Sequence, residues 1–157
     1  MTLSEFNSLS DGRAREELMK VCGSREWARA MEDARPFESQ EESQSAAQIC
    51  WDNLSRENRL EAFAAHPRIG QKSASQWSQQ EQSGVHGEDV TKLLIEGSKY
   101  EERFKHVFLI CATGKGATDI LAALKTRMSN TPEQEYQIAC SEQAKIMQLR
   151  MIKLFKP

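Results

Sequence analysis

The sequence predicts an all-α protein, one compact domain of about seven to nine helices spanning residues 1–157. Three observations lead there. Proline and glycine are scarce, with 4 and 8 copies in 157 residues, and β-branched runs are few. Apolar residues recur at spacings of three and four along most of the chain, the period of a half-buried helix. Several of these segments also begin with a hydroxyl residue three positions before Glu or Gln, the sequence signature of a helix start.

Taken in order, Thr2 and Glu5 form a capping box that opens a first helix with Leu3 and Phe6 on one face. A second helix over 11–22 carries Leu18, Val21 and Cys22 and stops at Gly23. Ser24 caps a third, bearing Trp27, Ala30 and Met31, which ends before Pro36 because proline disfavours α geometry at Arg35. Ser39 with Glu42 reads as another capping box. The helix behind it places Ala46, Ile49, Cys50 and Leu54 on its apolar side. Ser55 caps a helix with Leu60, Phe63 and Ala64 that must end near His66, since Pro67 follows. Pro67, Gly70, Ser73 and Ser75 break any period, so 67–75 is a loop. A short polar helix is expected over 76–83, and a longer one over 89–104 with Val90, Leu93, Leu94, Tyr100 and Phe104. The run Val107-Phe108-Leu109-Ile110-Cys111-Ala112 is strongly apolar, and its periodicity fits a buried strand or a buried helix end equally. After Gly114 and Gly116 a helix spans 117–128. Thr131, Pro132 and Gln134 give an N-cap, a proline at the first helical position and a glutamine reaching back, so the last helix runs over 132–154.

Composition excludes several classes of function. Lys plus Arg is 21 against 23 for Asp plus Glu, a formal charge of −2. A general nucleic-acid binder is usually basic. No apolar run reaches the roughly 20 residues that cross a bilayer. Met1-Thr2-Leu3-Ser4-Glu5 has neither the basic nor the apolar region of a secretory leader, and Leu154-Phe155-Lys156-Pro157 carries no targeting tag. The expectation is a cytoplasmic protein with no nucleic-acid or membrane partner. Cys22, Cys50, Cys111 and Cys140 form no C-x-x-C pair, and reduced thiols serving as small hydrophobes are expected.

Few residues offer chemistry. His66, in His66-Pro67-Arg68-Ile69-Gly70, stands where a helix gives way to a loop. Its ring either caps helix carbonyls or exchanges protons near neutral pH. Ser78, Glu81 and Gln82 share a helix face at i, i+3 and i+4. Ser78 and Glu81 also fit a capping box. His66, His86 and His106 are too evenly spread for a metal-ligand motif, so no metal is expected. Ala112-Thr113-Gly114-Lys115-Gly116-Ala117-Thr118 misses the phosphate-loop pattern. Cys111 reads as core rather than nucleophile. Arg150 is either a solvated residue with a snorkelling stem or a guanidinium fork for a planar anion.

Together, His66-Pro67-Arg68-Ile69-Gly70 and Ser78-x-x-Glu81-Gln82 are far more specific than either alone. The chain resembles the 2-oxo-4-hydroxy-4-carboxy-5-ureidoimidazoline (OHCU) decarboxylases of urate breakdown. Phe6, Trp27 and Arg35-Pro36-Phe37 match upstream. Tyr100-Glu101-x-Arg103-Phe104, Phe108-Leu109-Ile110-Cys111-Ala112-x-Gly114-Lys115 and the pattern Glu142, Ile146, Leu149, Arg150 match downstream. Two positions depart: Lys105 where the family often has glycine, and Gly116 where it often has serine. Both touch loop geometry rather than the histidine or the carboxylate.

The resemblance implies an all-helical homodimer that needs no cofactor and converts OHCU to (S)-allantoin and carbon dioxide. The family's catalytic histidine falls on His66. Glu81 joins it in the catalytic set, either setting the histidine tautomer or binding ureido N–H groups. Substrate contacts fall on Pro67, on Ser78, Gln79, Gln80, Glu81 and Gln82, on Phe108, Leu109, Ile110, Cys111 and Ala112, and on Arg150. The competing reading is a helical interaction module that kept the fold and lost the activity.

Overall fold

A computed structural model describes residues 1–156. Among them are nine helices and no strand: α1 Leu3–Asn7, α2 Asp11–Val21, α3 Arg25–Asp33, α4 Gln40–Asp52, α5 Arg56–Ala64, α6 Gln76–Glu81, α7 Asp89–Phe104, α8 Ala117–Arg127 and α9 Pro132–Leu154. The chain divides into two compact units, Phe63–Gln143 and the remainder. Both divisions fall inside helices, one in α5 and one in α9.

The first unit holds α1 to α4, most of α5 and the end of α9. Its buried side chains include Phe6, Leu18, Trp27, Met31, Phe37 and Trp51. Phe6 packs edge-on to Phe155 at 5.5 Å between centroids, an arrangement that ring quadrupoles favour. The buried indole N–H of Trp27 is satisfied by the Ala47 carbonyl at 3.1 Å. Arg35 donates to the carbonyls of Phe6 and Leu9, both at 2.9 Å, and so closes the C-terminal end of α1.

The helix starts follow their chemistry. Both halves of the Thr2–Glu5 capping box form. Thr131 and Gln134 exchange bonds across the first turn of α9, at 2.9 and 3.2 Å. Ser39 accepts from the Glu42 N–H, but the Glu42 carboxylate turns to the N–H of Glu38, so that box is only half made. The apolar side expected for α4 is also corrected. Ser43, Ala47 and Trp51 are its buried residues, a stripe at i, i+4 and i+8, while Ile49 is 60% exposed and Leu54 lies past the helix end.

The second unit packs α7 against α8. Leu93, Tyr100 and Phe104 of α7 share a core with Ile120, Leu121 and Leu124 of α8 and with Phe108, Ile110 and Ala112. The apolar run at 107–112 is neither strand nor helix but irregular backbone. Side chains hold its main chain. Arg127 donates to the Leu109 carbonyl at 2.8 Å, Glu142 accepts the Cys111 N–H at 3.2 Å, and the Lys115 ammonium donates to the Cys111 carbonyl at 2.8 Å. Arg127 in turn pairs with Glu135, a fully buried carboxylate that also accepts the Tyr100 hydroxyl at 2.6 Å. Burial, reinforced by that bond, pushes the Tyr100 hydroxyl well above the usual tyrosine range.

Candidate active site

Of the five residues 66–70 that follow α5, four are each fixed by a separate device. The His66 ring meets Gln143 of α9, with Nε2 and Oε1 2.7 Å apart. Arg68 grips Glu101 of α7 through two bonds of 2.7 and 2.9 Å, the fork geometry that carboxylates accept best. Ile69 packs against the core of the unit. Gly70 takes φ +90° and donates its N–H to Gln82 Oε1 at 3.0 Å. A side chain at 70 would be strained in that conformation and would also press to 3.2 Å from Val90 Cγ1. His66 itself is half-buried, and its backbone N–H closes on the Phe63 carbonyl at 3.2 Å. A ring bonded to Gln143 is thus held by a side chain of α9 rather than serving only to cap α5.

The short helix α6 follows this loop and is tied to it by the Gly70–Gln82 bond. Ser75, not Ser78, is its N-cap, with Ser75 Oγ accepting the Ser78 N–H at 3.3 Å. Ser78 therefore lies inside the first turn, and the capping-box reading of Ser78 with Glu81 does not hold. The shared-face reading does. Ser78 and Glu81 are buried, at 4% and 8% exposure, and Gln82 is half-buried, whereas Gln79 and Gln80 face solvent. Gln79 donates to the Ser73 carbonyl, which braces the loop before α6.

Phe108, Leu109, Ile110, Cys111 and Ala112 are all buried. Lys115, which the phosphate-loop comparison picked out, spends its ammonium on this stretch rather than on an anion. His66, Pro67, α6 and 108–112 all belong to the unit Phe63–Gln143. Arg150 belongs to the other unit, where it is buried and donates to the Lys20 carbonyl at 3.1 Å. The solvated reading of Arg150 is overturned. No cluster of metal-ligating side chains occurs among the described residues.

Sequence reasoning missed Gln143 and gave Glu142 no role. A signal was present. Residues 135, 139, 143, 147 and 151 of α9 recur at i+4, and all five are fully buried. Gln143 is an amide on this otherwise largely apolar stripe, and a buried polar side chain needs a partner.

The OHCU decarboxylase family model matches residues 7–152. The chain is 36% identical over 151 residues to the Uric acid degradation bifunctional protein TTL of Arabidopsis thaliana, a match covering 89% of this chain and 47% of that protein. The chain thus spans about half the length of that relative. It is 26% identical to the 2-oxo-4-hydroxy-4-carboxy-5-ureidoimidazoline decarboxylase of Haloferax volcanii, covering 99% of this chain and 96% of the relative. A crystal structure of OHCU decarboxylase in the presence of (S)-allantoin superposes with a TM-score of 0.81 at 35% identity, over 89% of this chain and 97% of the other.

Proposed function

The chain belongs to the OHCU decarboxylase family, and from that premise we propose that it decarboxylates OHCU to (S)-allantoin without a cofactor, with residues 1–157 acting as one domain of that family. The supporting observation is the anchored loop: His66 is bonded to a buried amide, and Gln82 ties the same loop to the helix that buries Ser78 and Glu81.

The chemistry asks for little more. The substrate carbon that loses carbon dioxide carries a hydroxyl and adjoins a C=N bond. When the C–C bond breaks, its electron pair forms a C=C bond to the carbon of the C=N group, the C=N π pair passes to the ring nitrogen, and that nitrogen gains a proton. The hydroxyl then gives up its proton to become a carbonyl, and the neighbouring carbon takes a proton on one face. The substrate is its own electron sink, so the protein must orient the carboxylate and move protons.

In this reading His66 is the proton-exchanging residue, suited to neutral pH. Glu81 acts beside it, on the histidine or on the ureido N–H groups. Pro67, Ser78, Gln79, Gln80, Gln82 and the backbone of 108–112 bind the ring and ureido edges. Main-chain donors in an apolar wall suit a flat heterocycle and reject analogues that lack its hydrogen-bonding atoms. We further infer a homodimer working in the cytoplasm, without nucleic-acid or membrane partners. No helix among the described residues is long and apolar enough to cross a membrane.

The test is His66→Ala and Glu81→Ala with freshly generated substrate, followed by circular dichroism of the allantoin formed. Loss of rate and of chirality is expected. A His66→Ala variant with undiminished rate and stereochemistry overturns the role of the histidine. A wild-type protein no faster than spontaneous decay supports the inactive interaction module instead.

A further inference from the structure

We propose that Gln143 is a positioning residue for the decarboxylation: its carboxamide oxygen accepts the Nε2–H of His66 and holds the neutral ring in the tautomer that leaves the lone pair on Nδ1. The inference rests on the proton-exchanging role of His66 given above, and it adds which ring atom exchanges the proton and what decides it.

Three observations carry it. Gln143 Oε1 lies 2.7 Å from His66 Nε2. A carbonyl oxygen only accepts, so the ring nitrogen facing it must carry hydrogen. Gln143 is also completely buried, so water does not compete for that bond. Finally, the other end of the same amide, Nε2, is buried without a hydrogen-bond partner. Buried polar atoms are nearly always paired, and an exception calls for a reason. Packing supplies none, because methionine has a similar volume and would fill the same space with no orphaned N–H groups. What methionine lacks is an oxygen aimed at the histidine. The neighbouring Glu142 accepts the Cys111 N–H, so successive residues of α9 hold the histidine and the apolar wall.

A histidine in a defined site works from one nitrogen, and the partner of the other nitrogen decides which. In the neutral ring with hydrogen on Nε2, Nδ1 can take up a proton from the substrate and return one. Turning the amide over would present NH₂ to the ring and require the opposite tautomer, so the two arrangements make opposite predictions.

The test begins with ¹⁵N NMR of the imidazole nitrogens. The wild-type enzyme is expected to show a protonated Nε2 and an unprotonated Nδ1 for His66, and a dominant Nδ1–H form overturns the proposal directly. In Gln143→Met the tautomers are expected to redistribute and kcat to fall roughly 10–100-fold, part of the 10²–10⁴ that positioned proton transfer contributes. KM should stay within about twofold, because an interaction needed only for the chemical step leaves binding largely unchanged. Gln143→Glu keeps an acceptor oxygen, so Nε2 should remain protonated and part of kcat should return. A Gln143→Met enzyme with the wild-type spectrum and kcat defeats the proposal. If Gln143→Met does not fold, the wild-type spectrum and Gln143→Glu decide. His66→Ala is measured alongside: full activity there defeats the role of the histidine, while the spectrum still judges Gln143 separately.

Discussion

Gln82 Oε1 accepts the backbone N–H of Gly70 at 3.0 Å, joining the end of α6 to the turn that follows His66 and Pro67. Gln79 of the same helix holds the loop further along, at the Ser73 carbonyl. Gln82→Ala is expected to cost about 1 kcal/mol of stability, the usual net worth of such a bond. It should raise KM more than it lowers kcat, since the loop keeps its other three anchors. Urea denaturation and steady-state kinetics check both, and an unchanged KM would remove Gln82 from the substrate-binding set.

Glu135 is a buried charge shared among the Arg127 guanidinium, the Tyr100 hydroxyl and the Asn130 amide. Removing one partner of a buried pair strands the other. Glu135→Leu is therefore expected to destabilise by roughly 3–5 kcal/mol. Arg127 would keep the Leu109 carbonyl and its place over the Phe108 ring but lose its counter-charge, and the backbone of 108–112 should loosen. Hydrogen exchange at those amides reads that effect separately from the global unfolding free energy.

Lys105 ends α7 at φ +66°, in left-handed geometry that suits glycine. This is the position where the family often has glycine, and the turn is made regardless, with the Lys105 N–H on the Glu101 carbonyl at 2.8 Å. Lys105→Gly should stabilise by about 1 kcal/mol, the left-handed penalty less the added freedom of the unfolded chain. Thermal melting tests it, and a lower Tm would show that the lysine side chain contributes more than the geometry costs.

Burial pushes the Cys22 thiol up to about 12, while Cys50 is only half-buried and its thiol is raised by burial to a lesser degree. A thiol reagent at pH 8 should modify Cys50 first and Cys22 only as the protein opens. Both Cys22 and Tyr100 are raised, so each favours the protonated folded state. The stability they contribute is complete below their ordinary values, about 8.5 and 10. It is lost as pH climbs above those values. Alkaline unfolding monitored by tryptophan fluorescence should therefore begin above about pH 9. Rapid labelling of Cys22 in the native protein at pH 8 would contradict its buried state.

Local sequence signals read the fold well where the chemistry is local. The Thr131-Pro132-Gln134 start places α9 correctly because all its bonds lie within one turn. Ser75 and Ser78 stand three residues apart in a serine- and glutamine-rich stretch, and either can cap a helix. The choice depends on which residue the second unit buries, which spacing alone does not contain. Ile49 misled for a similar reason: hydrophobicity says that a residue prefers burial, not that a neighbour covers it. His66 and the face of Ser78 and Glu81 were legible as motifs. Gln143 was not, since its partner lies 77 residues away, and only its position on a buried stripe marked it.

The irregular run at 107–112 differs from a strand in how its shape is specified. A strand is held by a repeating ladder, and losing one rung loosens the rest. Here Arg127, Glu142 and Lys115 each secure one main-chain atom from a different point of the fold. The segment is a suspended piece of backbone with separate stays, and each stay can be cut while the others remain. Double-mutant cycles over those three side chains can therefore show whether the stays act independently, which is expected if each coupling energy is close to zero.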